Sequence, residues 1–162
     1  MPDSEIEILL RLIDQAYDHK AWHGPNLRGS ARGLDHRVAC WRPKPGRHNI
    51  WEIVVHAAYW KYAVRRRLLG QKRGSFPLKG SNWFVRPGDP SPRAWEADLQ
   101  LLSEMHQELR AAVAGLDGAD LARKRPGSKF SILDLITGIA AHDVYHAGQI
   151  QILKRLAAQS GR

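Results

Sequence analysis

The pattern of hydrophobic and polar positions predicts four long amphipathic helices and no convincing β-strand. Apolar residues recur every three or four positions, which places them on one face of a helix, whereas a strand requires a period of two. The predicted helices span about residues 5–22, 49–69, 91–115 and 131–157. Four helices of similar length predict an all-α fold, a four-helix bundle that forms one domain over residues 1–162.

Capping residues support these boundaries. Asn49 with Glu52 three positions later is a good helix start, and Ser91 followed by Pro92 is another. The glycine- and proline-containing segment 71–90 has no helical period and is predicted to be a long loop. Loops of this length allow crossover connections between the helices rather than a simple up-and-down order.

Candidate chemistry comes from the eight histidines. His142 and His146 are four positions apart, so their side chains lie one turn apart on the same inward face of the fourth helix. His56 lies on the inward face of the second helix. Three neutral imidazoles around one divalent metal ion would leave a position open for a reacting ligand, as in catalytic zinc sites.

Spacing alone does not select the third ligand. His106 lies on the inward face of the third helix and is a rival to His56. His19 and His23 flank the end of the first helix, where a solvated position is the simpler interpretation, above all for His19. A histidine on an apolar face is also often a core residue whose hydrogen bonds are satisfied without metal.

Composition narrows the class of protein. Hydrophobic residues make up 43% and charged residues 25% of the chain, values typical of a globular protein. The sequence lacks an apolar run of the ~18 residues that a membrane span needs, and its start does not resemble a signal peptide, so we expect a cytoplasmic location. The single cysteine, Cys40, excludes an intrachain disulfide and a thiolate-rich zinc finger.

The net charge of +9 permits an anionic partner but does not indicate one. The basic residues occur in short scattered clusters, such as 65–67 and 123–125, without a long basic arm. An aromatic RNA-binding motif is also missing from the sequence, which argues against specific nucleic-acid recognition.

Three segments resemble the DinB/YfiT-like superfamily. Residues 142–150, HDVYHAGQI, resemble the superfamily's final-helix signature HxxYHxGQ. Residues 49–60, NIWEIVVHAAYW, resemble the second-helix signature that carries the first metal ligand, and residues 21–27, AWHGPNL, resemble the stretch that closes the first helix. The resemblance implies a four-helix bundle of DinB/YfiT-like type whose metal ligands are His56, His142 and His146.

The resemblance also implies a range of functions. Metals in the superfamily include zinc, nickel and iron, and many members form dimers, so a homodimer is expected. Relatives include S-transferases and isomerases that use bacillithiol, mycothiol or glutathione, and a metal-dependent hydrolase. We therefore expect a metal-dependent enzyme acting on a small-molecule substrate, either a thiol-dependent S-transferase or a hydrolase.

Two other functions stay open at this point. The chain can instead be a non-catalytic stress-response or binding module, in which the metal is structural and the basic surface meets a partner such as nucleic acid. It can also be a helical dimer whose core histidines bind no metal. Neither the general base, if there is one, nor the substrate is indicated by the sequence.

Overall fold

The computed structural model describes residues 4–160, which contain six α-helices and no β-strand. The helices are α1 (Glu5–Tyr17), α2 (Leu27–Ala31), α3 (His36–Cys40), α4 (Ile50–Leu68), α5 (Pro92–Ala114) and α6 (Ile132–Ser160). A short 3-10 turn, Gly118–Asp120, follows α5. The predicted all-α class is confirmed.

The four long helices all contribute to two hydrophobic clusters, and Trp60 packs against both of them. Both α1 and α4 pack against α5 and α6, so α1 and α4 occupy opposite corners of the bundle. Helices α4 and α5 are parallel, because Trp51 contacts Asp98 near their starts and Arg65 pairs with Glu108 near their ends. The connection 69–91 therefore returns the chain to the same end of the bundle, which confirms the predicted crossover.

Buried aromatic and aliphatic side chains hold the first halves of α4 and α5 together. Trp51 is fully buried, packs against Trp95 at a ring-centroid distance of 5.1 Å, and donates its indole N–H to Asp98. Burying a side chain of this size contributes about 1.5–3 kcal/mol, and the hydrogen bond removes the penalty of a buried donor. This packing fixes the end of the bundle that carries the candidate site.

The first predicted helix is too long, and two short helices were not predicted. Helix α1 ends at Tyr17, and Trp22, which the prediction included, is fully exposed. Asn26 and Asp35 then cap α2 and α3, whose length of five residues is too short to show a hydrophobic period. The polar connection before α4 is therefore partly helical.

The other helix starts agree with their capping residues. Asn49 accepts the backbone N–H of Glu52 at 2.7 Å, and Ser91 caps α5 with Pro92 in its first turn. No helix within residues 4–160 is long and apolar enough to cross a membrane. The assignment of residues 1–162 to one domain stays a prediction, and residues 1–3 and 161–162 lie outside the described part of the chain.

Candidate metal centre

The structure brings together the three histidines predicted as metal ligands. His56 on α4 and His146 on α6 each place Nε2 3.1 Å from Nε2 of His142, and one ligand atom from each residue lies within 4.8 Å of the others. Two nitrogen ligands of one tetrahedral zinc ion, each ~2.0–2.1 Å from it, lie about 3.3 Å apart. The spacing therefore fits a single ion between the three rings.

Hydrogen bonds on the far side of two rings determine which nitrogen carries the proton. His56 donates Nδ1–H to the carbonyl oxygen of Asn82 at 2.9 Å, since a carbonyl can only accept. His146 donates Nδ1–H to Oε1 of Gln149 at 2.7 Å, while the Gln149 amide N–H donates to the Tyr145 hydroxyl at 3.0 Å. Both Nε2 atoms consequently present lone pairs toward His142, as metal ligation requires.

Burial keeps the cluster uncharged at neutral pH. It lowers the pKa of His56 to about 4 and that of His142 to about 3, and it also lowers the pKa of His146. Neutral His142 has one proton, which can satisfy only one of the two lone pairs that face its Nε2. Its Nδ1 is buried and has no hydrogen-bond partner in the described part of the chain. A divalent cation satisfies all three lone pairs at once, so these residues fit a metal ion.

The crossover segment 69–91 covers the cluster. The indole ring of Trp83 stacks on His56 at 3.8 Å and on His48 at 3.6 Å, and so lies between the two imidazoles. Asn82 has a φ of 64°, which asparagine tolerates better than most residues, and this turn directs its carbonyl oxygen to His56. The Asn82 side-chain oxygen also accepts the Trp60 indole N–H at 2.9 Å, which fixes the turn further.

Buried polar contacts anchor the same segment to the bundle. Arg86 donates its Nε–H to Asp98 at 2.7 Å, and its carbonyl oxygen accepts the Asn49 amide N–H at 2.9 Å. Burial alone would raise the pKa of Glu52, but hydrogen bonds from Arg42 and His48 lower it. The charged Glu52 carboxylate thus helps to hold the start of α4, and His48 beside it, in place.

An open groove of about 470 Å³ adjoins the cluster, a volume suited to a small molecule. It is lined by Pro43, Lys44, Arg47, His48, Ile53, Trp83, Gln149, Ile152 and Leu153. Trp83 and Gln149 also contact the histidine cluster, so the groove and the cluster share two side chains. Its lining combines an apolar surface with two cations, Lys44 and Arg47.

The rival ligand His106 lies elsewhere. Its ring stacks on Tyr17 at 3.8 Å, and its Nε2 is 3.6 Å from Asp14, so it does not take part in the cluster of three. His19 is largely exposed and contacts Asp18, as expected for a solvated helix end, and His23 is exposed as well.

A second buried polar group was not predicted. The Lys61 ammonium on α4 pairs with the Asp143 carboxylate on α6, and both side chains are 1% exposed. Burial raises the pKa of Asp143 to about 6 although Lys61 opposes that change. In the sequence, Lys61 stands out only as a lysine on an otherwise apolar helix face. That pattern does not identify Asp143 as its partner. Asn82 and Trp83 were also missed, because segment 71–90 has no period that indicates where its side chains lie.

The comparison with protein families gives one result. The family model of the DinB superfamily matches residues 21–150, so the chain belongs to the DinB superfamily. The family resemblance inferred from the three segments is thereby confirmed. Neither the curated proteins nor the solved structures contain a match to this chain.

Proposed function

We propose that this protein binds one divalent metal ion through His56, His142 and His146 and is a metal-dependent enzyme acting on a small molecule. The supporting observation is that two ring nitrogens with lone pairs face Nε2 of His142 at 3.1 Å. A bound zinc, nickel or iron ion would supply Lewis acidity, which makes a thiol or a water more acidic. Superfamily membership supports the same proposal.

The chain's own groups would hold and shield this centre. The Asn82 carbonyl and the Gln149 amide orient His56 and His146 and keep their Nε2 atoms unprotonated. Trp83 covers one face of His56 and excludes water there. The groove beside Trp83 and Gln149 is the candidate substrate site.

Thiol-dependent S-transfer is the first candidate reaction. Lys44 and Arg47 can bind the carboxylates of an anionic thiol, while Ile53 and Ile152 offer an apolar surface to its electrophilic partner. In such a transfer the thiolate sulfur bonds to an electrophilic carbon, and the leaving group departs with the electron pair.

Hydrolysis is the second candidate, and one contact favours it. His48 lines the groove, and its Nδ1 lies 2.9 Å from Oε2 of Glu52. A carboxylate that fixes a histidine in this way leaves Nε2 able to accept a proton from water. The spacing of four residues between His48 and Glu52 was visible in the sequence but was not interpreted.

Elemental analysis of protein purified without a metal-affinity tag tests the metal site. We expect about one metal ion per chain in the wild type and in the exposed control His19→Ala, and loss of the metal in His146→Ala. Substoichiometric metal that persists after addition of zinc or nickel would contradict the proposal. So would full metal content in His146→Ala.

Activity screens separate the two reactions. For S-transfer with glutathione, bacillithiol or mycothiol, Lys44→Ala/Arg47→Ala should raise the KM for the thiol, because it removes two groove cations. For ester or amide hydrolysis, His48→Gln should lower kcat while the metal stays bound. A metal-loaded protein that is inactive in both screens would contradict both candidate reactions and favour a binding module with a structural metal. The homodimer and the cytoplasmic location stay predictions.

A further inference from the structure

A second cavity, of about 670 Å³, lies at the opposite end of α4 from His56. It forms where the end of α4 meets the segment that precedes α6, and five cations line it: Arg66, Arg67, Arg73, Arg125 and Lys129. Its lining contains no aspartate or glutamate among the described residues. Arg67 is 11 positions after His56 in the sequence, or about 16 Å along the helix axis, so this cavity is separate from the metal centre.

These five cations lack carboxylate partners within the described part of the chain. None of them lies within 4.0 Å of an acidic oxygen there. Neighbouring cations differ, because Arg65 pairs with Glu108 and Arg123 pairs with Asp120. The cavity therefore concentrates positive charge that no carboxylate among residues 4–160 neutralises by direct pairing.

Two of the guanidinium groups are held in place by the backbone. Arg66 donates to the carbonyl oxygen of Gln71 at 2.9 Å, and Arg125 donates to that of Leu68 at 2.6 Å. The Nε atoms of Arg66 and Arg125 are buried, and no described residue offers them an acceptor. Fixed guanidinium groups with unused donors are well suited to bind phosphate oxygens.

The start of α6, which is adjacent to the cavity, is not the group that would bind an anion there. Asp134 accepts hydrogen bonds from the Ser131 backbone N–H and hydroxyl, at 2.9 and 2.7 Å, so a carboxylate already caps α6. An anion in the cavity would therefore bind to the arginine and lysine side chains. A single phosphate would leave most of the five cations unpaired, whereas two or more phosphates would engage them.

We propose that this basic cavity binds a small anion that carries at least two phosphate groups. The cavity volume lies within the ~300–1,000 Å³ range of small-molecule sites. Binding would also relieve the repulsion among the five cations, so it should stabilise the fold.

Calorimetric titration with pyrophosphate, together with thermal unfolding, tests the proposal. The informative variant is Arg73→Gln/Lys129→Gln, because the two side chains line the cavity and form no hydrogen bond or ion pair with other side chains among residues 4–160. The matched control is Arg93→Gln/Arg155→Gln, which removes the same charge from exposed positions outside the cavity. We expect binding and a rise in Tm in the wild type and the control, and affinity at least about tenfold weaker in the cavity variant.

Four results would overturn the proposal. The first is absence of pyrophosphate binding at low salt, and the second is equal weakening in the cavity and control variants, which would indicate general electrostatics. The third is tight binding of duplex DNA that pyrophosphate does not displace, which would indicate a nucleic-acid surface. Titration of His146→Gln separates this site from the metal centre: retained binding supports the cavity, and loss of binding assigns the signal to the histidines and overturns the proposal.

Discussion

Two largely buried polar clusters lie side by side between α4 and α6, and they differ in whether they contain opposite charges that can pair. In the charged cluster, the Lys61 ammonium pairs with the Asp143 carboxylate and lies 3.4 Å from Nδ1 of His106. In the histidine cluster, His56 and His146 both direct lone pairs at His142. Asp143 directly follows His142, so two adjacent residues of α6 belong to different clusters.

This difference separates a structural role from a binding role. In the charged cluster, Lys61 and Asp143 pair opposite charges without a ligand, although Oδ1 of Asp143 is buried and has no hydrogen-bond partner among the described residues. The main effect of this pair is on the fold. At neutral pH, three uncharged imidazoles carry too few protons to satisfy all the nitrogen lone pairs that face one another in the cluster. This arrangement of lone pairs supports the proposal that the histidine cluster binds a cation.

The largest expected effect concerns the charged cluster. Lys61→Met should lower the free energy of unfolding by about 3–5 kcal/mol, because it leaves the Asp143 carboxylate buried without its cation. Lys61→Met/Asp143→Leu should recover most of that loss. Urea unfolding measures both effects.

The exposed pair Arg123 and Asp120 is the control, and Arg123→Met should leave the midpoint of urea unfolding nearly unchanged. A single variant as stable as the wild type would show that the pair does not stabilise the fold.

The next effect is confined to the histidine cluster. Metal at about 100 times its Kd should raise the free energy of unfolding by about 3 kcal/mol, because it binds the folded chain. A chelator should reverse this in the wild type and in Lys61→Met/Asp143→Leu but change nothing in His146→Ala. If the chelator acted equally on His146→Ala, the metal would be bound at another site.

Acidification should destabilise the metal-free protein. An unfolded histidine binds a proton near pH 6.5, whereas His142 in the fold does so only near pH 3, so the unfolded chain holds more protons between those values. Stability then rises with pH, and its loss from pH 7 to pH 5 should reach about 2 kcal/mol for this residue.

Asp143 has the opposite effect on the pH dependence of stability. Its pKa is raised in the fold, so the folded chain binds more protons at this position than the unfolded chain. The contribution of the histidine is therefore measured as the difference between wild type and His142→Gln, by urea unfolding at the two pH values with chelator present. Identical pH dependence in the two proteins would contradict the assignment of a buried neutral imidazole.

A smaller effect tests the orientation of His146. Gln149→Leu removes the acceptor at Nδ1 and should weaken metal binding about tenfold, with little change in the stability of the metal-free fold. Gln107→Leu, at an exposed position on α5, is the control. Equal metal affinity in the two variants would mean that Gln149 does not hold the ligand.

The sequence predicted those features that repeat along one helix. The bundle helices α4, α5 and α6 followed from periodicity and caps, and the spacing of His142 and His146 placed both on one face. Family resemblance, rather than periodicity, favoured His56 over His106. The structure agrees with that choice, because His106 points to Tyr17 and Asp14 instead.

Features that depend on contacts between distant segments were not predicted. The partner of Lys61 lies 82 positions away on another helix, and a pattern within one helix does not identify it. Trp83 and Asn82 act from a loop whose path is fixed by polar contacts such as that between Arg86 and Asp98. The basic cavity likewise joins two segments that are far apart in sequence, so its arginines had appeared only as scattered surface charge.

Anomalous diffraction from crystals of the metal-loaded protein tests the central claim most directly. The account predicts one strong peak per chain, about 2.0–2.1 Å from Nε2 of His56, His142 and His146 if the metal is zinc. A cluster without a peak in crystals grown with excess zinc or nickel would contradict the account. A peak bound only by surface groups such as His19 or His23 would contradict it as well.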